Sequence, residues 1–211
     1  MNMEKMHRFL AEITDYLEVH DINIDNINDC EIEENSSIFF CSEFFDFNYG
    51  ATRGCFISTE EQLKYVFKFD LENVSENYCE NEAYYYKKAK AAGLGECFAK
   101  VFKFDEVNNT SVYCAEYVDE IGCDFPGKLT KEEKEEIKKH TSQYKAAPHI
   151  PMEWSFAFIN YYGTDLYDSL LEFLIDYGIN DLHCGNIGYI QGRPVIFDYA
   201  GFWEDSFNSC Y

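Results

Sequence analysis

Apolar residues first recur with a helical period. Met6, Phe9, Leu10, Ile13 and Leu17 fall on one face of residues 3 to 18, with charges between them. This predicts an amphipathic helix that must pack against something, in the manner of a lid or cap. An acidic, asparagine-rich connector, HDINIDNINDCEIEENSS, follows; from Ile38 to Asp70 strand formers dominate, broken by NYGATRG. That half predicts antiparallel sheet. The string VFKFD occurs at 66 to 70 and at 101 to 105, with different flanks and no third copy. It reads as two similar strands and not as an internal repeat.

Between those strands, SENYCENEAYYYKKAKAAG offers Ser75 as an N-cap, acids early, lysines late and Gly93 as a stop, the charge order that a helix dipole favours. CFAKVFKF and TSVYCAEYV then read as strands, TKEEKEEIKKHTSQYK as a charged helix after Thr130, and APHIP as a turn. A long helix, TDLYDSLLEFLIDYG, is capped by Thr164 or Asp165 and ended by Gly178, and two strands at about 186 to 190 and 194 to 198 follow. The order predicts an α+β protein: an N-terminal helix and acidic connector over 1–35, a sheet-rich lobe over 36–118 and a reduced helical lobe over 119–211. A connector near Glu116 to Glu120 would leave a cleft for a ligand.

Composition narrows the function classes. The chain has 211 residues and a formal charge of -22, enough length for one substantial core or two lobes and a field that repels nucleic-acid phosphates. No basic patch offsets it, so no nucleic-acid partner is expected, whereas a basic protein partner is compatible with the acidic surface. The nine cysteines are odd in number and form no C-x-x-C pair, as expected of reduced thiols in a cytoplasmic protein. No apolar run approaches the ~18 residues of a membrane span, and no leader pattern opens the chain.

The candidate chemistry lies in GINDLHCGNIGYIQGRPVIFDYAGF, residues 178 to 202, where Asp181, Asn186 and Asp198 supply oxygen atoms only. Hard oxygen ligands in small number suit magnesium, which keeps several waters and takes one or two carboxylates plus substrate phosphates. Phosphate transfer is the chemistry that follows. Taken singly, Asp181 caps a turn, Asn186 bridges a loop and Asp198 ends a strand. His183 and Cys184 lack a second ligand pair at zinc spacing, so His183 reads as structural.

The segments DLHCGNIG and PVIFDYAG resemble the catalytic loop and metal-binding strand end of the protein-kinase-like superfamily, in the form found in aminoglycoside and choline phosphotransferases and atypical kinases. The resemblance implies a two-lobe fold and an ATP- and Mg2+-dependent transfer to a hydroxyl of a protein or small molecule. Asp181 would accept the proton of that hydroxyl, Asn186 would be a metal ligand, and Asp198 the metal aspartate bridging the ATP phosphates. In KYVFKFD the strand period puts Tyr65, Phe67 and Phe69 on one face and Lys68 on the other, where it would neutralise phosphate charge. Glu82, which shares a helix face with Tyr85, Tyr86 and Ala89, is its preferred partner and Glu80 the alternative. NYGATRG would be the phosphate-covering turn, with Gly50 and Gly54 admitting backbone amides, although it departs from G-x-G-x-x-G. CAEYVDEIG resembles the hinge, where backbone groups of Glu116 and Val118 would meet the adenine.

Lysine, helix glutamate, hinge-like strand, D-x-x-x-x-N and strand-end aspartate occur in the order such a fold demands, across about residues 45 to 202. Thirteen residues follow Asp198, which implies a C-terminally minimal form, with substrate recognition in the Asp119 to Tyr162 insert, the N-terminal helix or a partner. A second reading is a catalytically weak or inactive kinase-like scaffold that engages a basic partner through its acidic surface.

Overall fold

A computed structural model describes residues 3–59, 64–72, 74, 76–107, 109–119, 128–144 and 150–200. The protein is α+β, with a five-stranded antiparallel sheet, a two-stranded hairpin and several helices. It divides into two compact units, one of Met1–Ala83 with Lys100–Tyr117 and the other of Tyr84–Ala99 with Val118–Tyr211.

The first unit begins with helix α1 (Met3–Val19). A short 3-10 turn (Ile24–Asn26) and helices α2 (Asp29–Glu34) and α3 (Ser36–Phe40) lead to strands β1 (Phe45–Tyr49), β2 (Arg53–Ser58) and β3 (Tyr65–Asp70). The first turns of α4 (Tyr78–Ala91), then β4 (Val101–Val107) and β5 (Thr110–Glu116), complete it. The sheet order is β1-β2-β3-β5-β4, every pair antiparallel.

Met6, Phe9, Leu10, Ile13 and Leu17, the apolar stripe of α1, are buried in one cluster with Phe45, Phe56, Phe67 and Phe69, and the Phe9 and Phe67 rings stack at 5.6 Å. The helix is part of this core: burying five large side chains contributes about 1.5–3 kcal/mol each. The connector is folded too. Ile22, Ile24, Ile27 and Ile32 are buried in the same cluster, and the Asn28 side chain caps α2 by accepting the Glu31 N–H. Ile38 to Phe40, expected as strand, are helical, with Phe39 turned inward.

Both faces of β3 are covered, as its central place in the sheet requires. Phe67 and Phe69 face the apolar cluster and Lys68 the other side. The second copy of VFKFD lies on edge strand β4, where Lys103 and Asp105 are exposed and a bulge separates them. One string thus serves a central and an edge strand.

Helix α4 starts at Tyr78, and the Asp70 carboxylate meets its first turn by accepting the Cys79 N–H at 3.1 and 3.3 Å. Ser75, the expected cap, lies outside the described residues. Gly93 ends the helix at φ 81°, and Leu94 N–H donates to Ala89 O at 2.8 Å, a closure that the left-handed glycine makes possible.

The second unit contains the rest of α4, then α5 (Lys131–Thr141), α6 (Met152–Tyr162), α7 (Thr164–Asp176), β6 (Ile187–Ile190) and β7 (Arg193–Ile196). Thr130 and Glu133 form a reciprocal capping box on α5. Helix α6 was not expected; its aromatics pack inward through Trp154 and Phe158. Gly163, with φ 84°, sits at the start of α7, so neither Thr164 nor Asp165 caps that helix. The APHIP turn and the C-terminal residues from 201 lie wholly or largely outside the described residues. Among the described residues no helix is long and apolar enough to cross a membrane.

Candidate functional site

In the first unit, strand register assembles an ionic cluster on one face of the sheet. Cys55 stands opposite Lys68 and Arg53 opposite Asp70, so Arg53, Lys68 and Asp70 point the same way. Helix α4 delivers Glu82 to that face. Lys68 Nζ lies 3.0 Å from both Glu82 carboxylate oxygens, and Arg53 Nη1 lies 3.3 Å from Oε2. Exposure is 7% for Lys68, 8% for Arg53 and 1% for Glu82. Glu80 is exposed instead and accepts from Asn77 at 3.4 Å, so Glu82 is the lysine's partner. Breaking a buried pair of this kind on one side costs about 3–5 kcal/mol, because the surviving charge stays buried.

The surroundings of the cluster are low in dielectric. Burial raises the Asp70 carboxyl above the usual aspartate range, although the Cys79 hydrogen bonds and the Arg53 charge oppose the shift. Burial, with the Asp70 charge, holds the Cys79 thiol well above its ordinary value. Tyr113, opposite Lys68 on β5, is pushed up to about 12 by burial and the nearby acids Glu80 and Asp70.

Gly50 and Gly54 have different reasons for being glycine. The Gly50 N–H donates to Arg53 O at 3.0 Å, closing the β1–β2 turn, and a Cβ there would meet open space. A Cβ on Gly54 would fall 2.4 Å from the Phe69 ring, its cross-strand neighbour, so close packing within the sheet accounts for that glycine.

In the second unit the polar loop is drawn together by two hydrogen bonds. Asn186 Nδ2 donates to the main-chain oxygen of Asp181 at 2.8 Å. The Phe197 N–H donates to Asn186 O at 2.9 Å, extending the β6–β7 register by one pair and setting Asn186 beside the residue that precedes Asp198. Asp198 itself has φ 55°. Aspartate tolerates this left-handed region better than most residues, yet it stores on the order of 1–3 kcal/mol of strain, and such strain concentrates at functional sites.

Asn186 is buried and Asp181 and Asp198 half-buried. The donor set is hard oxygen. Among the described residues no three His, Cys, Asp or Glu side chains converge on a metal position; oxygen donors in small number are of the type that magnesium takes alongside water and substrate ligands. His183 Nδ1 accepts the Gly185 N–H at 2.9 Å, which assigns the ring proton to Nε2, 3.7 Å from Asp181 Oδ1.

The hinge-like residues divide in the same way. Glu116 N–H donates to Lys100 O at 2.9 Å, and its carboxylate accepts the Lys100 N–H at 2.9 Å, so this residue anchors β4 to β5. Val118 is buried against Ala99 and Val195, and its Cγ1 would lie 2.5 Å from a Cβ on Gly188. The participant missed in the sequence is Arg53, which reads there as a turn residue; only the β2–β3 register brings it to Glu82. Compared with models of known families and with curated proteins, the chain shows no significant match to either.

Proposed function

We propose that the protein is an ATP- and magnesium-dependent phosphotransferase of protein-kinase-like architecture, acting on a hydroxyl of a protein or small molecule. The observation that carries this reading is the buried Lys68–Glu82 pair, 3.0 Å apart on the sheet face opposite the apolar cluster. Ionised groups in such a place are costly against an apolar packing of similar volume, and phosphate recognition is a use that repays them. The polar loop supports the same reading through a different set of atoms, the oxygens of Asp181, Asn186 and Asp198.

In this chemistry Glu82 holds Lys68 extended, and the ammonium neutralises triphosphate charge. Asn186 and Asp198 would hold magnesium, which supplies further charge neutralisation on the phosphate oxygens. Asp181 orients the acceptor hydroxyl. As the hydroxyl oxygen bonds to the γ-phosphorus, the bond from that phosphorus to the β,γ-bridging oxygen breaks, ADP departs, and the hydroxyl proton passes to Asp181. His183 Nε2 lies 3.7 Å from the Asp181 carboxylate, close enough to help orient it.

The formal charge of -22 favours a second reading, a scaffold that takes a basic partner. Thermal unfolding with and without Mg·ATP separates the two: nucleotide raises the melting temperature of the enzyme and leaves that of the scaffold unchanged.

A further inference from the structure

Arg53 is the buried cation that the proposed chemistry leaves without a task. It lies on β2 opposite Asp70 and diagonal to Lys68, with its guanidinium 3.3 Å from Glu82 Oε2 and 5.8 Å from the Tyr78 ring centroid. Two cations therefore share one carboxylate that is only 1% exposed. Neutralising Glu82 needs one of them. Asp70, on the same sheet face, is engaged with the first turn of α4.

Resting on the phosphotransferase reading, we propose that Arg53 is a positioning residue that holds the Glu82 carboxylate in place, so that the Lys68 ammonium can turn to a nucleotide phosphate. With a lone Lys–Glu pair, an ammonium drawn toward phosphate loosens its hold on the carboxylate, and the uncompensated buried charge opposes nucleotide binding. With Arg53 present, Glu82 retains an ion pair throughout. Arginine suits the role because its guanidinium stays protonated and forms directional bonds, whereas the lysine stem is the mobile partner. The same residue bears on the turn, which departs from the glycine-rich pattern: with Gly54 explained by the Phe69 ring, charge on β2 and β3 carries more of the phosphate recognition.

Calorimetric titration of adenosine and of a magnesium-bound, non-hydrolysable ATP analogue into wild type, Arg53→Met and Arg53→Lys tests this, after circular dichroism has verified folding. The account expects wild type to bind the analogue more tightly than adenosine. Arg53→Met should lose on the order of tenfold of that phosphate-dependent gain, the middle of the range for coupled neighbours, with adenosine affinity unchanged. Arg53→Lys should recover part of it, and serves as the informative variant if Arg53→Met does not fold. In a Lys68→Met background, adding Arg53→Met should remove nothing more. An unchanged gain in the Arg53 variants, or equal losses for adenosine and the analogue, overturns the positioning role and leaves the phosphotransferase reading in place. A wild type that binds neither ligand overturns both.

Discussion

The side-chain amide of Asn186 donates to the main-chain oxygen of Asp181 at 2.8 Å, tying the two ends of the D-x-x-x-x-N element together. Asn186→Asp keeps an oxygen for a cation but replaces the donor with a second acceptor facing that carbonyl. The expected outcome is a stability loss of about 1–3 kcal/mol, the usual cost of a buried polar group left unsatisfied, read from urea unfolding. Unchanged stability would mean that the bond does not hold the loop.

Gly54→Ala forces a methyl to within 2.4 Å of the Phe69 ring, in a sheet where that ring also packs on Phe56. Overpacking of this kind costs about 1–3 kcal/mol. Gly50→Ala meets nothing within 4 Å and should unfold within about 0.5 kcal/mol of wild type. Thermal unfolding of the two variants side by side measures the difference.

The Asp70 carboxyl gives a pH prediction with a definite sign. Its folded pKa is raised, chiefly by burial, so the folded state holds its proton to higher pH than the unfolded chain does. Its contribution to stability is full below the ordinary aspartate range and declines as pH rises through the raised value. Asp70→Asn keeps an acceptor for the Cys79 N–H and removes that decline. The stability of the variant relative to wild type should therefore increase as pH rises through the carboxylate range. A relative decrease would show that the attraction to Arg53 outweighs burial.

Thiol reactivity separates the cysteines by environment. Cys30 and Cys41 are exposed, whereas Cys79, Cys97 and Cys114 are buried. Burial pushes Cys97 and Cys114 up to about 12 and Cys79 well above its ordinary value, so almost no thiolate forms at those sites at pH 8. Iodoacetamide labelling with peptide mapping should modify Cys30 and Cys41 in the native protein, and the three buried thiols only after denaturation.

Local pattern and tertiary context explain what the sequence made legible. The face of Lys68 followed from the period of two in KYVFKFD, and Glu82 from its helix face, because both are set within single elements. Arg53 was hidden because its place depends on the pairing of β2 with β3, which no local pattern encodes. Helix α1 was recognised from its apolar stripe, but its depth in the core was set by the sheet it meets. The Ile38–Phe40 run carried strand-like residues yet turned helical, Phe39 being buried there with the isoleucines of the preceding segment, a case of packing overriding propensity. Helix α6 escaped notice because MEWSFAFINYY is apolar and aromatic nearly all round, without the polar face that marks a surface helix.

The most direct test follows phosphate from labelled ATP in the presence of magnesium, with wild type, Lys68→Met and Asp198→Ala, each verified as folded, across protein and small-molecule hydroxyl acceptors. The account predicts transfer by wild type and a loss of at least about a hundredfold in both variants, on the scale of removing groups that stabilise developing charge. Transfer at the wild-type rate by Asp198→Ala, or none by wild type with any acceptor, would contradict it.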